Sequence, residues 1–275
     1  MKTKPTMVDT FGVNMYSICF GRKPGSDGYL IWSDTAPSVK PEYFRRVQVV
    51  GNHTWSVLLK EPRFVHDPAS EAKKYEGVTL GCEKGCGALL DSGTSLLALP
   101  GHTINELVKV TLEPGFDCKR LHDMPSIKLR LGDHDIILPP DTYVAEVTET
   151  GTNVPQYLQS FVRLRKFNVS SHQEPGSRCD LMVMESGAET ANGPLWILGA
   201  PFFRQYYTTF EVGGHTNERR AVYFSRASDT CTPSAPEDFE RHVPPTQLYR
   251  RLIHPSKLWV PPTALEALSA EYVNL

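Results

Sequence analysis

Apolar and polar residues alternate with a period of two along much of the chain, the spacing of β-strands. The clearest case is Ile127, Leu129 and Leu131, then the turn Gly132-Asp133, then Ile136 and Leu138. This predicts a β-hairpin with one buried face. Further strands are predicted at Val13 to Phe20, Gly28 to Trp32, Val47 to Val50, Trp55 to Leu59 and Trp196 to Leu198. Tyr206 to Phe210 and Ala221 to Phe224 read as a pair joined through Gly213-Gly214. Helix signals are few. Thr103-Ile104-Asn105-Glu106 has capping-box spacing ahead of Leu107-Val108, and Thr263 to Glu266 leads into Leu265, Leu268 and Tyr272 at helical spacing.

Residues 1–228 therefore read as an all-β domain with minor helices. Residues 229–275 read as an appended tail, with prolines at 233, 236, 244, 245, 255, 261 and 262 that forbid regular sheet or a long helix. Its Tyr249, Leu252, Ile253, Leu258 and Trp259 precede a short amphipathic helix. Such a segment is too small for a core of its own. It is expected to lie along a partner subunit or to wrap its own domain.

Composition narrows the function classes. The 275 residues hold 29 Lys+Arg against 31 Asp+Glu, a net charge of -2, which argues against nucleic-acid binding. No apolar run approaches the roughly 18 residues of a membrane span. Nothing calls for a metal or cofactor: Cys82-Glu83-Lys84-Gly85-Cys86 offers two sulfurs at close spacing, but no second ligand pair matches it. Those two cysteines read as a small disulfide loop or, less simply, as free thiols. The sequons Asn52-His53-Thr54 and Asn168-Val169-Ser170 agree with export. Met1 to Thr6 lacks the apolar stretch of a signal peptide, so the expected signal lies upstream of residue 1. The expected location is the secretory pathway, a vacuole, the exterior or another oxidising compartment.

One segment carries chemistry. In Ala88-Leu89-Leu90-Asp91-Ser92-Gly93-Thr94-Ser95-Leu96-Leu97 an acid sits between two apolar runs. A carboxylate there needs partners, and hydroxyls at 92, 94 and 95 and the amides of a glycine turn supply them. A catalytic acid would be built this way, and so would an aspartate that caps its own turn.

Asp91-Ser92-Gly93-Thr94-Ser95-Leu96 resembles the signature of pepsin-like aspartic proteases, two-lobed enzymes in which each lobe gives one catalytic aspartate. The cysteine loop 82–86, Met124 to Ile127, Leu138 to Tyr143 and Leu195 to Tyr207 resemble segments of the second lobe, in the same order. The resemblance runs from about residue 7 to about 228 and implies a single C-terminal lobe. It implies that Asp91 is the catalytic carboxylate and that Gly93 makes the turn beside it. Thr94 would donate to the outer oxygen of Asp91, and Ser92 would reach the partner lobe. Ile197-Leu198-Gly199 would pack on the aspartate loop. Ala200 departs from the acidic residue often found there. Cys82–Cys86 and Cys118–Cys179 are the implied disulfides, while Cys19 and Cys231 match nothing in the pattern. Leu89 and Trp55 fall in segments bordering the substrate cleft, with a core role equally open.

The family's reaction uses two carboxylates about 3 Å apart that share one proton. No second Asp-Ser/Thr-Gly occurs: Asp9-Thr10-Phe11 and Asp34-Thr35-Ala36 both lack the glycine. The expectation is a lobe that supplies one catalytic aspartate for peptide-bond hydrolysis and is inactive without an N-terminal lobe. The alternatives are a non-catalytic accessory or scaffold subunit of a larger assembly and, behind it, a homodimer in which two copies of Asp91 meet.

Overall fold

The computed structural model describes residues 7–66, 74–112, 116–147, 154–163, 178–213, 220–234 and 248–275. The second sequon at Asn168, Gly214 of the turn after Phe210, and the prolines at 236, 244 and 245 lie outside them.

Strands dominate, as the period of two predicts. One sheet of five strands has the order Tyr29–Trp32, Met15–Cys19, Tyr206–Glu211, Ala221–Arg226, Arg45–Gln48, with every pairing antiparallel. The larger, nine-stranded sheet runs Val183–Ser186, Leu97–Pro100, Gly193–Leu198, Cys86–Leu90, Ser56–Val65, Ser126–Leu131, His134–Leu138, with Glu189–Thr190 branching from Gly193–Leu198 and Tyr272–Val273 pairing with that branch. A small third sheet joins Arg178–Leu181, Val144–Val147 and Leu252–Ile253. The main core lies between the layers and contains Leu59, Phe64, Leu129, Trp196, Phe202, Phe203 and Phe224.

The predicted hairpin is present, with Ile127 opposite Leu138 and Leu129 opposite Ile136. Gly132 turns at φ +56, a conformation open to glycine. It differs from expectation in that both faces are covered. Lys128 is buried as well, and its charge is met by Asp135 at 2.6 Å. An alternating pattern survives burial on both faces when the polar side is paired with its own neighbour.

Neither predicted capping box forms. The helix Gly101–Thr111 starts one turn earlier than its box, behind Pro100, and has no side-chain cap. The Thr103 hydroxyl donates instead to the Leu80 carbonyl at 2.8 Å. The tail helix Pro262–Ser269 begins behind Pro261, again uncapped by a side chain. In both cases proline sets the entry geometry and leaves the threonine without that role.

The described tail lies on its own lobe. Leu252–Ile253 pairs in parallel with Glu146 and Val147, and Tyr272–Val273 pairs with Glu189 and Thr190. Leu258, Val260, Ala264, Ala267, Leu268 and Leu275 complete a second core with Leu96, Ala98, Leu195 and Ile197. Burying a leucine or valine side chain, as at Leu258, Val260, Leu268 and Leu275, is worth roughly 1.5–3 kcal/mol each. The tail thus gains by completing its own lobe's second core.

Candidate active site

The strand Cys86–Leu90 is apolar and runs into the interior of the large sheet. Its chain leaves at Asp91, turns through residues 91–96 and re-enters as Leu97–Pro100. Between the two runs Gly193–Leu198, parallel to the first and antiparallel to the second. The loop is therefore pinned from below. The Asp91 amide donates to the Leu198 carbonyl at 3.1 Å, and the Ala200 amide donates to the Thr94 carbonyl at 2.7 Å. Gly199 makes this crossing possible. A β-carbon there would lie 2.1 Å from the Leu96 carbonyl oxygen and 2.5 Å from that of Thr94.

The turn aims donors at the carboxylate. The Gly93 amide donates to Asp91 Oδ1 at 3.0 Å, and the Thr94 hydroxyl donates to Oδ2 at 2.6 Å. Bonds to an ionised acceptor are shorter and stronger than neutral ones, and these two fix the plane of the carboxyl group. Thr94 is buried, while Asp91, Ser92 and Gly93 are partly exposed. The site is a fixed, solvent-reachable carboxylate at the end of a rigid strand. It can accept a proton from, or donate one to, a molecule laid against the loop.

The sequence matches the family described as "Eukaryotic aspartyl protease" over residues 9–218. The chain belongs to that family. It is 31% identical over 207 residues to cathepsin D of Homo sapiens, covering 72% of this chain and 42% of that protein. It is 27% identical over 206 residues to a renin of Echis ocellatus, covering 72% and 43%. It is 27% identical over 209 residues to cathepsin D of Dictyostelium discoideum, covering 72% and 45%. The chain thus spans less than half the length of these curated relatives. The fold is that of a single pepsin-like lobe, all-β with minor helices.

Of the three hydroxyls beside the aspartyl protease motif, Thr94 alone reaches the Asp91 carboxylate among the described residues. Ser95 is turned away: its hydroxyl accepts from the Trp259 amide at 2.8 Å. Ala200 opens the helix Ala200–Gln205 and bonds to the loop through its amide.

Asp9-Thr10 and Asp34-Thr35 sit on other elements of the lobe. Asp34 accepts from the Tyr207 hydroxyl at 2.7 Å and caps Ala36 at 2.9 Å, on the five-stranded sheet. Asp9 lies on the short helix Met7–Thr10.

Leu89 and Trp55, both expected in segments bordering the cleft, pack in different places. Leu89 is half-buried and packs against the second core, on the side the tail covers. The Trp55 carbonyl accepts from the Leu90 amide at 2.9 Å. Its indole packs edge-on to Phe210 and Tyr16 and beneath the Arg220 guanidinium, 5.1 Å away. Burial pushes the neighbouring Tyr16 hydroxyl up to about 12, so it stays protonated here.

All six cysteines are paired, as Cys82–Cys86, Cys118–Cys179 and Cys19–Cys231. The third bridge ties the first long strand to the start of the tail. Its sequence signal was parity alone: four partnered cysteines of six leave two. The contacts of Ser95 with Trp259 and of Gly93 with Pro261 were also missed. The alternation of Leu258 and Val260 around Trp259 is the pattern that marks an extended segment with one face inward there.

Proposed function

We propose that this chain is the Asp91-bearing half of an aspartic endopeptidase. In this reading it supplies one of two carboxylates and hydrolyses peptide bonds only with a first lobe, carried on the same polypeptide or on another. The observation that carries the reading is the Asp91 carboxylate with a donor on each oxygen, Gly93 N–H and the Thr94 hydroxyl, at the open end of a strand.

The chemistry follows from that arrangement. A water between two carboxylates loses a proton to the ionised one as it attacks the peptide carbonyl, while the protonated one donates to the carbonyl oxygen. The turn holds the Asp91 carboxyl plane fixed through both steps, so little reorganisation accompanies the proton transfers. Ser92, partly exposed and without a hydrogen bond among the described residues, is free to meet the other lobe. The substrate is an extended peptide. Three disulfides support an oxidising compartment, and no helix among the described residues is long and apolar enough to cross a membrane.

A second reading, a non-catalytic lobe within a larger assembly, is favoured by the tail that packs over the loop at Gly93. Peptide hydrolysis at acid pH by this chain together with a first lobe separates the two. Cleavage that disappears in Asp91→Asn supports the enzyme. Equal rates with and without that substitution sink it.

A further inference from the structure

The last described segment is laid across the face that a substrate would need. After Tyr249, whose amide donates to the buried Asp141 at 3.2 Å, the chain is clamped by an ion pair between Arg250 and Glu146 at 2.8 Å. It then crosses the Asp91 loop. The Ser95 amide donates to the Trp259 carbonyl at 2.9 Å, and the Trp259 amide donates back to Ser95 Oγ at 2.8 Å. Two residues on, Pro261 sits on Gly93: a β-carbon at Gly93 would lie 2.7 Å from Pro261 Cγ. Gly93 is the residue whose amide holds Asp91 Oδ1. Further along, Leu275 closes on the aspartate strand itself, where a β-carbon at Gly87 would lie 2.6 Å from Leu275 Cδ1.

The segment docks as an added strand does. Leu258 and Val260 are buried at 6% and 2%, and Trp259 between them is 56% exposed. This is the alternation of an extended chain with one face inward. The contacts to Ser95 use the Trp259 main chain, which every peptide possesses, and the neighbouring side chains fill apolar ground. That is how a strip recognises extended peptides.

We infer that Leu258 to Pro261 are an intramolecular plug, seated on Gly93 to Ser95 and excluding outside peptide from the Asp91 loop until the tail is displaced. The inference rests on the reading of that loop as a peptide-hydrolysing site and adds how access to it is controlled. The ligand class is an extended peptide with aliphatic residues flanking a solvent-facing position, followed by proline. A tethered segment acts at an effective concentration on the order of millimolar. A free peptide of equal intrinsic affinity therefore competes poorly.

The test uses the full chain and a fluorescent octapeptide of the sequence of residues 256–263, with binding read by anisotropy. Two variants loosen the plug at different contacts. Trp259→Pro removes the amide donor to Ser95, and Pro261→Gly removes the ring over Gly93. A folding defect in one leaves the other to decide. Both are expected to bind the peptide at least about tenfold more tightly than the wild type. Hydrogen exchange at the Ser95 amide should be faster in both variants and slow again when peptide is added. Equal affinity in the wild type and the folded variants, or binding that leaves Ser95 exchange unchanged, overturns the inference. Because no cleavage is measured, failure of the enzyme reading leaves this result standing on its own.

Discussion

The amide of Asp91 donates to the carbonyl of Leu198 at 3.1 Å, so the candidate catalytic residue is held by a neighbouring strand that is distant in sequence. That strand can pass only because Gly199 follows it, with two carbonyl oxygens where a side chain would begin. Gly199→Ala should therefore destabilise the lobe by more than about 3 kcal/mol, well above an ordinary point change. Urea unfolding measures it. A loss below about 1 kcal/mol would show that the crossing relaxes and that the loop is not pinned there.

Thr94→Val keeps the volume of a buried side chain and removes the hydroxyl donated to Asp91 Oδ2 at 2.6 Å. Hydrogen bonds to charged groups contribute about 1.5–3 kcal/mol. The unfolding free energy should fall by that amount, seen as a lower urea midpoint at an unchanged denaturant slope. An unchanged midpoint would mean that the hydroxyl is not part of what positions the carboxylate.

The lobe and the loop were legible in the sequence because both rest on local patterns. Alternation marked the hairpin at 127–138, and the apolar flanks marked the Asp91 turn. What escaped depends on contacts distant in sequence. Thr103 looked like a helix cap, yet its hydroxyl is used by Leu80, in a segment before the loop. Ser95 looked like a partner of Asp91 and is bound by Trp259 instead. The tail read as lying along a partner or wrapping its own domain, and its described apolar residues do the second, filling the other core of their own lobe. Each miss is a side chain with two geometrically acceptable partners, and tertiary packing chose the distant one.

The unforeseen Cys19–Cys231 bridge closes most of the described chain, with a sequence separation of 212. Replacing both cysteines by alanine should cost about 2–5 kcal/mol. Thermal unfolding of the oxidised protein is the measurement. If the double variant melts with the wild type, the bridge adds no stability and the tail is held by its packing alone.

Asp141 anchors the tail from within, 3% exposed, accepting from the Tyr249 amide and from Gln205 at 3.3 Å. Burial raises its pKa, against the pull of the Tyr249 amide and of Arg251 and Arg22. Burial also lowers Arg204 to about 10 and lowers Arg251, so the surrounding positive charge is itself poorly solvated. A carboxyl raised on folding binds its proton more tightly in the native state. Its contribution is full below the ordinary carboxylate range and is lost as pH rises through the raised value. Relative to Asp141→Asn, the wild type should therefore be more stable at about pH 3 than at about pH 7. A difference that grows in favour of the wild type toward neutral pH would show the opposite shift.

The central claim is that Asp91 works only with a carboxylate from a first lobe. Its most direct measurement is peptide hydrolysis at acid pH by this chain, alone and joined to or mixed with an aspartic protease first lobe, in the wild-type and Pro261→Gly backgrounds. No cleavage is expected from the chain alone, and cleavage is expected with the first lobe, faster in Pro261→Gly and absent when Asp91→Asn is added. Cleavage by the chain alone at concentrations where it is monomeric, or cleavage with the first lobe that survives Asp91→Asn, would contradict it.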